Sequence, residues 1–467
     1  MPILPRARLA LSCVLLLGAC GLVPDATTSG LSVPQRLVNA DAGRPVRWPD
    51  PDWWRGFGSA ELDRLMRQAI AANNDIAAAA ARVRQADAQM RIAGSALLPI
   101  VDLNFSTARQ QSRILTGGSA STARISTPQS LSLAASYEVD LWGANRAGLE
   151  AAQQNLASNR FAVGTVVLTT EASVGNTYFQ LLAAEEQLAI QRANVAAADR
   201  VLRVLRDRMA VGTATGLDVA QQETLLANQR AQIPVFEQLR EQSRNSLATL
   251  LGIPPQEVRV SGGEFNRIIV PVVNAGLSSE LLARRPDVLS AEFTLAAANA
   301  NVVVARAALY PQITLTATGG FSSTRLTDLV RPEAVVFSLL AGLVQPVFHG
   351  GALRAQVALS QAQAEELLAT YRGAILAALV DAENALVALR QTTEQEQLQR
   401  EAVVAAQRAY DIAQEQFNAG TIDVVTLLIT QQSLFNARNT LAQARLARLQ
   451  AGIGLFRALG GGWGTPR

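Results

Sequence analysis

The sequence contains no lysine, a single histidine and two cysteines, and aromatic residues make up only 5% of its 467 residues. The 41 basic residues are therefore all arginines, and they are interspersed with 38 acidic residues. A net charge of +3 with this even distribution lacks the basic surface that nucleic-acid-binding proteins carry. We therefore expect no nucleic acid among the partners.

Catalytic signatures are scarce as well. With one histidine, His349, and no cysteine beyond residue 20, the common pairs of nucleophile and base cannot form. The sequence also has no glycine-rich phosphate loop and no cluster of metal ligands. These gaps predict a protein that is not an enzyme and that holds neither a metal nor a dissociable cofactor.

The N-terminus has the pattern of an export signal. Residues 1–19 predict a signal peptide, since Arg6 and Arg8 precede an apolar run from Leu9 to Leu17. Leu17-Gly18-Ala19-Cys20 is typical of a bacterial lipoprotein signal. Cleavage before Cys20 would leave a diacylglycerol on its thiol and a third acyl chain on its amine, which together give stable anchoring. The alternative is an ordinary signal peptide with Cys20 unmodified.

The rest of the chain offers no obvious transmembrane helix. The apolar run Ile375–Leu379 is soon interrupted by Asp381 and Glu383, and spanning helices need about 20 apolar residues. If the chain crosses a membrane, it must do so as strands in a closed barrel. Gly21, in place of an aspartate after Cys20, is consistent with sorting of a lipoprotein to the outer membrane.

The stretch from Gly143 to Met209 contains no proline and predicts one very long helix. At about 1.5 Å per residue, it would be roughly 100 Å long. Its apolar residues recur every seven positions, a period typical of a left-handed coiled coil. They are Val167, Val174, Leu181, Leu188, Val195, Leu202 and Met209.

The same pattern occurs twice. Positions 208 residues later form a second seam that only Glu396 interrupts, and Gly212-Thr213 recurs as Gly420-Thr421. A tandem duplication is therefore predicted. The expected segments are a signal peptide (1–19), a lipid-anchored linker (20–52), a first repeat (53–260), a connection (261–280), a second repeat (281–460) and a C-terminal tail (461–467).

Three stretches alternate apolar and polar residues, and a fourth, Val335–Val344, is more apolar and less regular. All four predict strands of roughly ten residues, the length of tilted membrane-spanning strands. One face of each would meet lipid and the other water, although any single stretch also fits a half-buried strand of a soluble sheet. The connections 108–129 and 319–334 are rich in serine, threonine and glycine and predict exposed loops. The strands are Val101–Thr107, Ser130–Val139, Gln312–Thr318 and Val335–Val344.

Four strands are too few to close a transmembrane barrel, which needs about eight. Each chain would therefore supply one part of the wall of an oligomeric barrel. The predicted fold class is thus mainly α with a transmembrane β part.

Each long helix ends at a break that contains glycine. In the first break, Gly212 permits the turn and Asp218 can cap the next helix. In the second break, Gly420 and Asp423 have the same two roles. The helices that follow are expected to end near residues 251 and 459, and both breaks are expected at the end of the helices farthest from the strands.

Five motifs distributed along the chain form a specific set: Trp53-Trp54-Arg55, Tyr137-Glu138-Val139-Asp140-Leu141-Trp142-Gly143, Ala231-Gln232-Ile233-Pro234, Arg284-Arg285-Pro286-Asp287-Val288 and Ala308-Leu309-Tyr310-Pro311. With these motifs and its duplication, the sequence resembles the bacterial outer membrane efflux protein family (TolC/OprM-like), and most closely its NodT-type lipoprotein branch. The resemblance covers nearly the whole mature chain.

The resemblance implies a homotrimer with a 12-stranded β-barrel in the outer membrane, four strands per chain, and a long coiled-coil α-barrel that extends into the periplasm. It also implies a periplasmic adaptor (membrane fusion) protein and an inner-membrane pump, commonly of the RND type. The residues that it implies for the periplasmic entrance, where the channel is gated and meets the adaptor, are Gly212, Thr213, Asp218, Gly420, Thr421 and Asp423. The acidic ring of many relatives would fall on Thr426 and Ile429 here.

The function expected from this resemblance is passive. The chain would be the outer-membrane channel of a tripartite efflux system that conducts drugs or other toxic small molecules from the inner-membrane pump to the outside. One alternative keeps the architecture but exports proteins, as a type I secretion channel. The other is a structural periplasmic coiled-coil lipoprotein without a pore.

Overall fold

The computed structural model of the chain describes residues 29–40, 48–112, 123–262, 265–273 and 278–461. The predicted signal peptide, Cys20 and the end of the C-terminal tail lie outside these ranges. The α-helices of the described part are α1 (Ala60–Ala72), α2 (Asn74–Ser95), α3 (Ala144–Ala210), α4 (Gly216–Leu251), α5 (Ser278–Arg284), α6 (Pro286–Ala307), α7 (Ala352–Asn418) and α8 (Val424–Ala458).

The strands are β1 (Ile100–Thr107), β2 (Gln110–Ser112), β3 (Arg124–Ser126), β4 (Gln129–Glu138), β5 (Gln312–Ser323) and β6 (Val335–Val344). All four predicted strands and both long helices are therefore present. The long helices α3 and α7 each contain 67 residues. The two connections differ from prediction, because β2 and β3 pair within 108–129 and β5 continues to Ser323, five residues into the second connection.

The described chain divides into two compact units. The first contains Arg82–Asn159 and Ala291–Tyr371, and the second contains Gly30–Ala81, Arg160–Ser290 and the chain from Arg372 onward. Each unit therefore takes segments from both predicted repeats.

The first unit holds a four-stranded antiparallel sheet in the order β1-β4-β5-β6. The hairpin of the first repeat, β1 and β4, joins that of the second through the pairing of β4 with β5. Because side chains alternate across a strand, the register aligns apolar residues on one face of this sheet. They are Val101, Leu103 and Phe105 of β1, Leu131, Leu133, Ala135 and Tyr137 of β4, Leu315, Ala317 and Phe321 of β5, and Val335, Phe337, Leu339 and Leu343 of β6.

The opposite face is mainly polar along β1, β4 and β5, whereas β6 places Val336, Leu340 and Val344 on it. It carries serine, threonine, Asp102, Asn104 and Glu138, and Ser106 shares a hydrogen bond of 2.8 Å with Ser130 across β1 and β4. The apolar face is uncovered, since Phe337 and Leu339 are more than four-fifths exposed. Contiguous apolar surface of this kind marks a membrane or protein contact.

Two of the sequence motifs meet where the strands join the helices. The indole of Trp142 stacks on Tyr310 with ring centroids 4.7 Å apart, and its N–H donates to the carbonyl of Pro311 at 2.7 Å. Asp140 accepts hydrogen bonds from the backbone N–H groups of Asn145 and Arg146, at the start of α3. The motif residues thus fix the passage from strand to helix.

The core of the second unit is aromatic. Trp53 stacks on Phe456, with centroids 4.9 Å apart, and Phe57 packs against Phe179. Ser59 and Asn73 accept hydrogen bonds from backbone N–H groups in the first turns of α1 and α2, as helix-capping side chains do. These contacts attach the Trp53-Trp54-Arg55 motif to α3 and α8.

One carboxyl group lies within this core. Glu171 of α3 is 7% exposed and accepts a hydrogen bond of 3.1 Å from the indole of Trp53. Burial raises its pKa to about 7, although the bond from Trp53 opposes the rise and the charge of Asp52 adds to it. Glu171 therefore changes its charge near neutral pH.

The two predicted seams are largely buried. Val174 and Leu181 of α3 and Ile375 and Ala382 of α7 are at most 2% exposed, whereas Met209, at the end of the first seam, is 44% exposed. The seam that Glu396 interrupts stays packed, because Glu396 is itself buried and forms ion pairs with two arginines: Arg400 at 2.8 Å and Arg448 of α8 at 2.5 Å.

Part of the predicted linker packs against the second unit. Leu37 is 5% exposed and lies in an apolar cluster with Leu281 and Leu455. Glu383 of α7 accepts hydrogen bonds from the backbone of Val38 and from both the backbone and the side chain of Asn39. The described part of the linker is therefore attached to the folded body.

Within the described residues, α6 has the length and hydropathy of a membrane-spanning helix. In the structure 44% of its apolar stretch is buried inside the protein, and Leu295, Ala300 and Val303 are at most 3% exposed. This apolar stretch was not predicted from the sequence. Its packing is that of a core helix.

Candidate functional site: the paired helical tips

The turn between α3 and α4 forms the first tip (residues 208–218). Gly212 has φ of +77°, in the left-handed region. Its N–H donates to the carbonyl of Met209 at 3.0 Å, and the N–H of Thr213 donates to Arg208 at 2.8 Å. These two bonds form the Schellman motif that ends many helices. The hydroxyl of Thr213 adds a third bond to Arg208, at 3.0 Å.

The turn between α7 and α8 forms the second tip (residues 416–426) and repeats this geometry. Gly420 has φ of +75° and donates to Phe417 at 3.1 Å. The N–H and the hydroxyl of Thr421 both donate to the carbonyl of Gln416, each at 3.0 Å. The predicted pairs Gly212-Thr213 and Gly420-Thr421 are thus equivalent in structure as well as in sequence.

The two predicted capping aspartates have different positions. Asp423 is the N-cap of α8 and accepts from the backbone N–H of Thr426 at 2.8 Å. Hydrogen bonds from the Thr426 side chain and backbone hold the pKa of Asp423 below its ordinary value. In the first tip the N-cap residue is Thr215, and the predicted capping side chain, Asp218, lies three residues further on.

Asp218 instead completes a capping box. Its carboxylate accepts from the backbone N–H of Thr215 at 2.8 Å, while its own N–H donates to the Thr215 hydroxyl at 3.2 Å. The sequence signal was present, because a threonine followed three residues later by an acidic residue is typical of this arrangement.

Arg208 joins the two tips and was not predicted. Its guanidinium lies over the ring of Phe417, with the central carbon 4.2 Å from the ring centroid. It also donates to the carbonyls of Phe417 at 2.9 Å and Asn418 at 3.4 Å. These carbonyls end α7, whose last turn has no basic residue of its own. An arginine of the first hairpin therefore caps the helix of the second.

Beneath the tips, the four helices share one apolar cluster, here called the tip core. Phe417 belongs to it, so the Arg208 contact lies at its edge. The members are Ala198, Val201, Leu202 and Leu205 of α3, Val219 and Leu226 of α4, Tyr410, Ala413 and Phe417 of α7, and Val424, Leu427 and Leu434 of α8. The arrangement can hold two helical hairpins in one fixed register.

The positions expected for an acidic ring carry no acid. Ile429 is 61% exposed, and Thr426 is exposed and satisfies the Asp423 cap. The carboxylates of the tips are those of Asp218, which is half-buried, and Asp423, which is exposed, and both are engaged in capping. The tips therefore combine polar turns with exposed apolar side chains, such as Val211 and Leu217.

The described part of the chain contains no group of three or more histidine, cysteine, aspartate or glutamate residues that could hold a metal ion. His349 lies in the turn before α7, where its carbonyl accepts from the N–H of Ala352 at 3.0 Å.

A four-stranded sheet with one apolar and one polar face, long paired helices and capped helical tips define a class of channel-forming membrane proteins. The profile of the family described as outer membrane efflux protein matches residues 65–253 and 277–461. The chain belongs to this family. It is an outer membrane component of an efflux system and extends into the periplasm.

Relatives cover almost the whole chain. The pyoverdine export outer membrane protein OpmQ of Pseudomonas aeruginosa is 42% identical over 98% of this chain and 97% of its own length. A probable efflux pump outer membrane protein, TtgC of Pseudomonas putida, is 31% identical over 96% of this chain and 94% of its own. These relatives favour the conduit over a structural lipoprotein.

Solved structures agree. The outer-membrane channel OprN has a TM-score of 0.87 and 26% identity, covering 94% of this chain and 99% of its own. The MtrE outer membrane channel of Neisseria gonorrhoeae, in its open state, has a TM-score of 0.84 and 27% identity, covering 95% and 98%. The predicted fold class, mainly α with a transmembrane β part, is confirmed.

Proposed function

We propose that three copies of this chain form the outer-membrane duct of a tripartite exporter. The four-stranded sheet carries this proposal, because an uncovered apolar face opposite a polar face suits a wall between lipid and water. The free edges of the sheet are β1 and β6, and lipid does not tolerate open sheet edges. Three copies would pair these edges and close twelve strands.

The tips are the proposed gate and adaptor contact, with Gly212, Thr213 and Asp218 in one tip and Gly420, Thr421 and Asp423 in the other. Their exposed apolar side chains are available to a periplasmic adaptor protein. The contact of Arg208 with the end of α7 supports a gate that depends on how the two hairpins are held together. An RND-type pump in the inner membrane is the proposed energy source.

Acylation of Cys20 is proposed as a second attachment to the membrane. Ser29, the first described residue, follows Cys20 by nine residues, which span at most about 30 Å when extended. The packed linker, with Leu37 buried, would hold the lipid-bearing end close to the folded body. Mass spectrometry of the mature N-terminal peptide of wild type and Cys20→Ser tests this attachment.

The cargo is proposed to be pyoverdine or a compound like it. OpmQ proteins of two Pseudomonas species share 42% and 41% identity with this chain over nearly their full length, above the 31% of TtgC. The same duct would also allow export of other toxic small molecules.

The proposed domain organisation is a tandem duplication, which the two separate matches to the family profile support.

Complementation tests the cargo. Cells that lack OpmQ and express this chain should release pyoverdine into the medium, measured by its fluorescence, whereas Cys20→Ser should reduce release through weaker anchoring. Retention of pyoverdine in the periplasm, with the chain correctly inserted, would contradict this cargo. The molar mass of the purified oligomer tests the proposed trimer, since the duct requires three copies of the chain.

A further inference from the structure

Five buried amide side chains, here called the amide layer, lie among the hairpin helices: Gln191, Asn194, Gln222, Gln229 and Gln431. All except Gln229 have 0% exposure, and Gln229 has 7%. On α4 the buried positions read Val219, Gln222, Leu226, Gln229, so amides alternate with the apolar residues of the tip core. Amides at such positions are costly unless they are hydrogen-bonded.

Some of the amide layer is satisfied. The side chain of Gln191 donates to the carbonyl of Gln229 at 2.7 Å and to its side-chain oxygen at 2.6 Å. The side chain of Gln222 donates to the carbonyl of Ala198 at 2.6 Å. These bonds join α3 to α4. They use the amide N–H groups of Gln191 and Gln222, whereas the side-chain oxygens of both residues accept no hydrogen bond from any described residue.

Several other polar atoms of the amide layer have no partner within the described chain. Both polar atoms of the Asn194 side chain, and the side-chain oxygens of Gln191 and Gln222, are buried without a hydrogen-bond partner among the described residues. Asn194 lies one turn before Ala198, which belongs to the tip core, and beside Val195, which packs against it. The packing of the hairpins therefore isolates an amide that could form several hydrogen bonds.

A partly satisfied polar layer destabilises the arrangement that isolates it. We propose that the amide layer is a destabilising element of the gate, which favours a shift of the two hairpins away from the packing described. A shift that gives Asn194 partners or water lowers the free energy of the shifted arrangement. This inference rests on the proposed duct and assigns a regulatory role to residues below its tips.

Asn194→Leu tests the inference, because it replaces the two unpaired atoms by a side chain of similar size. The purified oligomer should melt at a higher temperature. Its open probability in planar bilayers should fall by about tenfold, which corresponds to the free-energy cost of one unpaired buried polar group. Asn194→Met, a second apolar side chain at the same site, should act in the same direction, which keeps the test decisive if Asn194→Leu folds poorly.

Asn228→Leu is the matched control, since Asn228 is exposed on α4 and should leave both quantities unchanged. If the two core variants conduct and melt like wild type, or open more often, the inference is overturned. An oligomer without any conductance in the wild type would instead overturn the duct itself. The two failures are therefore distinguishable.

Discussion

The two hairpins of this chain have nearly the same turn but different side chains around it. Both long helices end in a glycine–threonine pair with matching hydrogen bonds. The residue four positions before each turn glycine differs, however. It is Arg208 in the first hairpin and Gln416 in the second. Only the arginine reaches across to the carbonyls of the other hairpin. The two turns therefore share a backbone conformation, whereas the side chains around them differ.

The long helices differ in the same way where they bury a carboxylate. Glu396 of α7 is paired with Arg400 and Arg448, whereas Glu171 of α3 has an indole N–H as its hydrogen-bond partner. A buried carboxylate that has no cation beside it favours its neutral form. Glu171 therefore adds a pH-sensitive group to α3, whereas Glu396 adds buried ion pairs to α7.

The largest effect that we expect concerns Glu171. Its pKa is about 7 in the folded protein against an ordinary 4.5, so the folded state binds more protons than the unfolded state between these values. The free energy of unfolding should therefore fall as pH rises from 4.5 to 7, by about 3 kcal/mol per chain. Thermal melts of the purified oligomer across this range measure the change.

Glu171→Gln keeps an acceptor for Trp53 and should remove this part of the pH dependence. Glu223→Gln, which alters an exposed carboxylate on α4 paired with Arg206, is the control and should retain it. An unchanged pH dependence in Glu171→Gln would mean that Glu171 is ionised in the folded state.

A smaller effect tests the equality of the two turns. Both Gly212 and Gly420 have positive φ, and a side chain at either would meet no atom within 4 Å. Alanine at either position should therefore cost only the backbone strain, about 1 kcal/mol. Melting temperatures should fall equally for the two variants. The control Gly216→Ala, at the start of α4, should leave the melting temperature unchanged. Clearly different losses for Gly212→Ala and Gly420→Ala would show that the two turns are not equivalent.

The smallest effect distinguishes how much each capping side chain contributes to stability. Asp423→Ala removes the N-cap of α8, and Thr215→Ala removes that of α4, so both should lower the melting temperature slightly. Asp218→Ala removes one half of a capping box and should lower it less, because Thr215 continues to cap the helix. Equal losses for Asp218→Ala and Thr215→Ala would show that the carboxylate contributes as much as the hydroxyl.

Much of this architecture could be predicted from the sequence. Seven-residue periodicity located both long helices, and alternation located the four strands, because buried and exposed faces have fixed periods in each element. Glycine followed by threonine located both turns. The predicted loops were less accurate: the Gly319-Gly320 pair suggested a loop, but it lies within β5, where a Cβ on Gly320 would overlap the backbone at Leu131.

The contact of Arg208 with the end of α7 could not be predicted in the same way. Arg208 is one of many arginines on exposed helix faces, and its partners are backbone carbonyls more than 200 residues away. Carbonyl groups have no sequence signature, and their availability depends on how α7 ends. The amide layer is similar, since glutamine is common on helix surfaces and only packing reveals which ones are buried.

The gate at the tips is best tested by single-channel recording of the purified oligomer in planar bilayers, with wild type, Arg208→Ala and Gln416→Ala compared. We expect a mostly closed wild type, an open probability raised about tenfold by Arg208→Ala through loss of its charged hydrogen bonds, and no change for Gln416→Ala. If neither variant differs from wild type, Arg208 does not hold the tips together. If correctly folded wild type does not conduct under any condition, the chain does not form a duct.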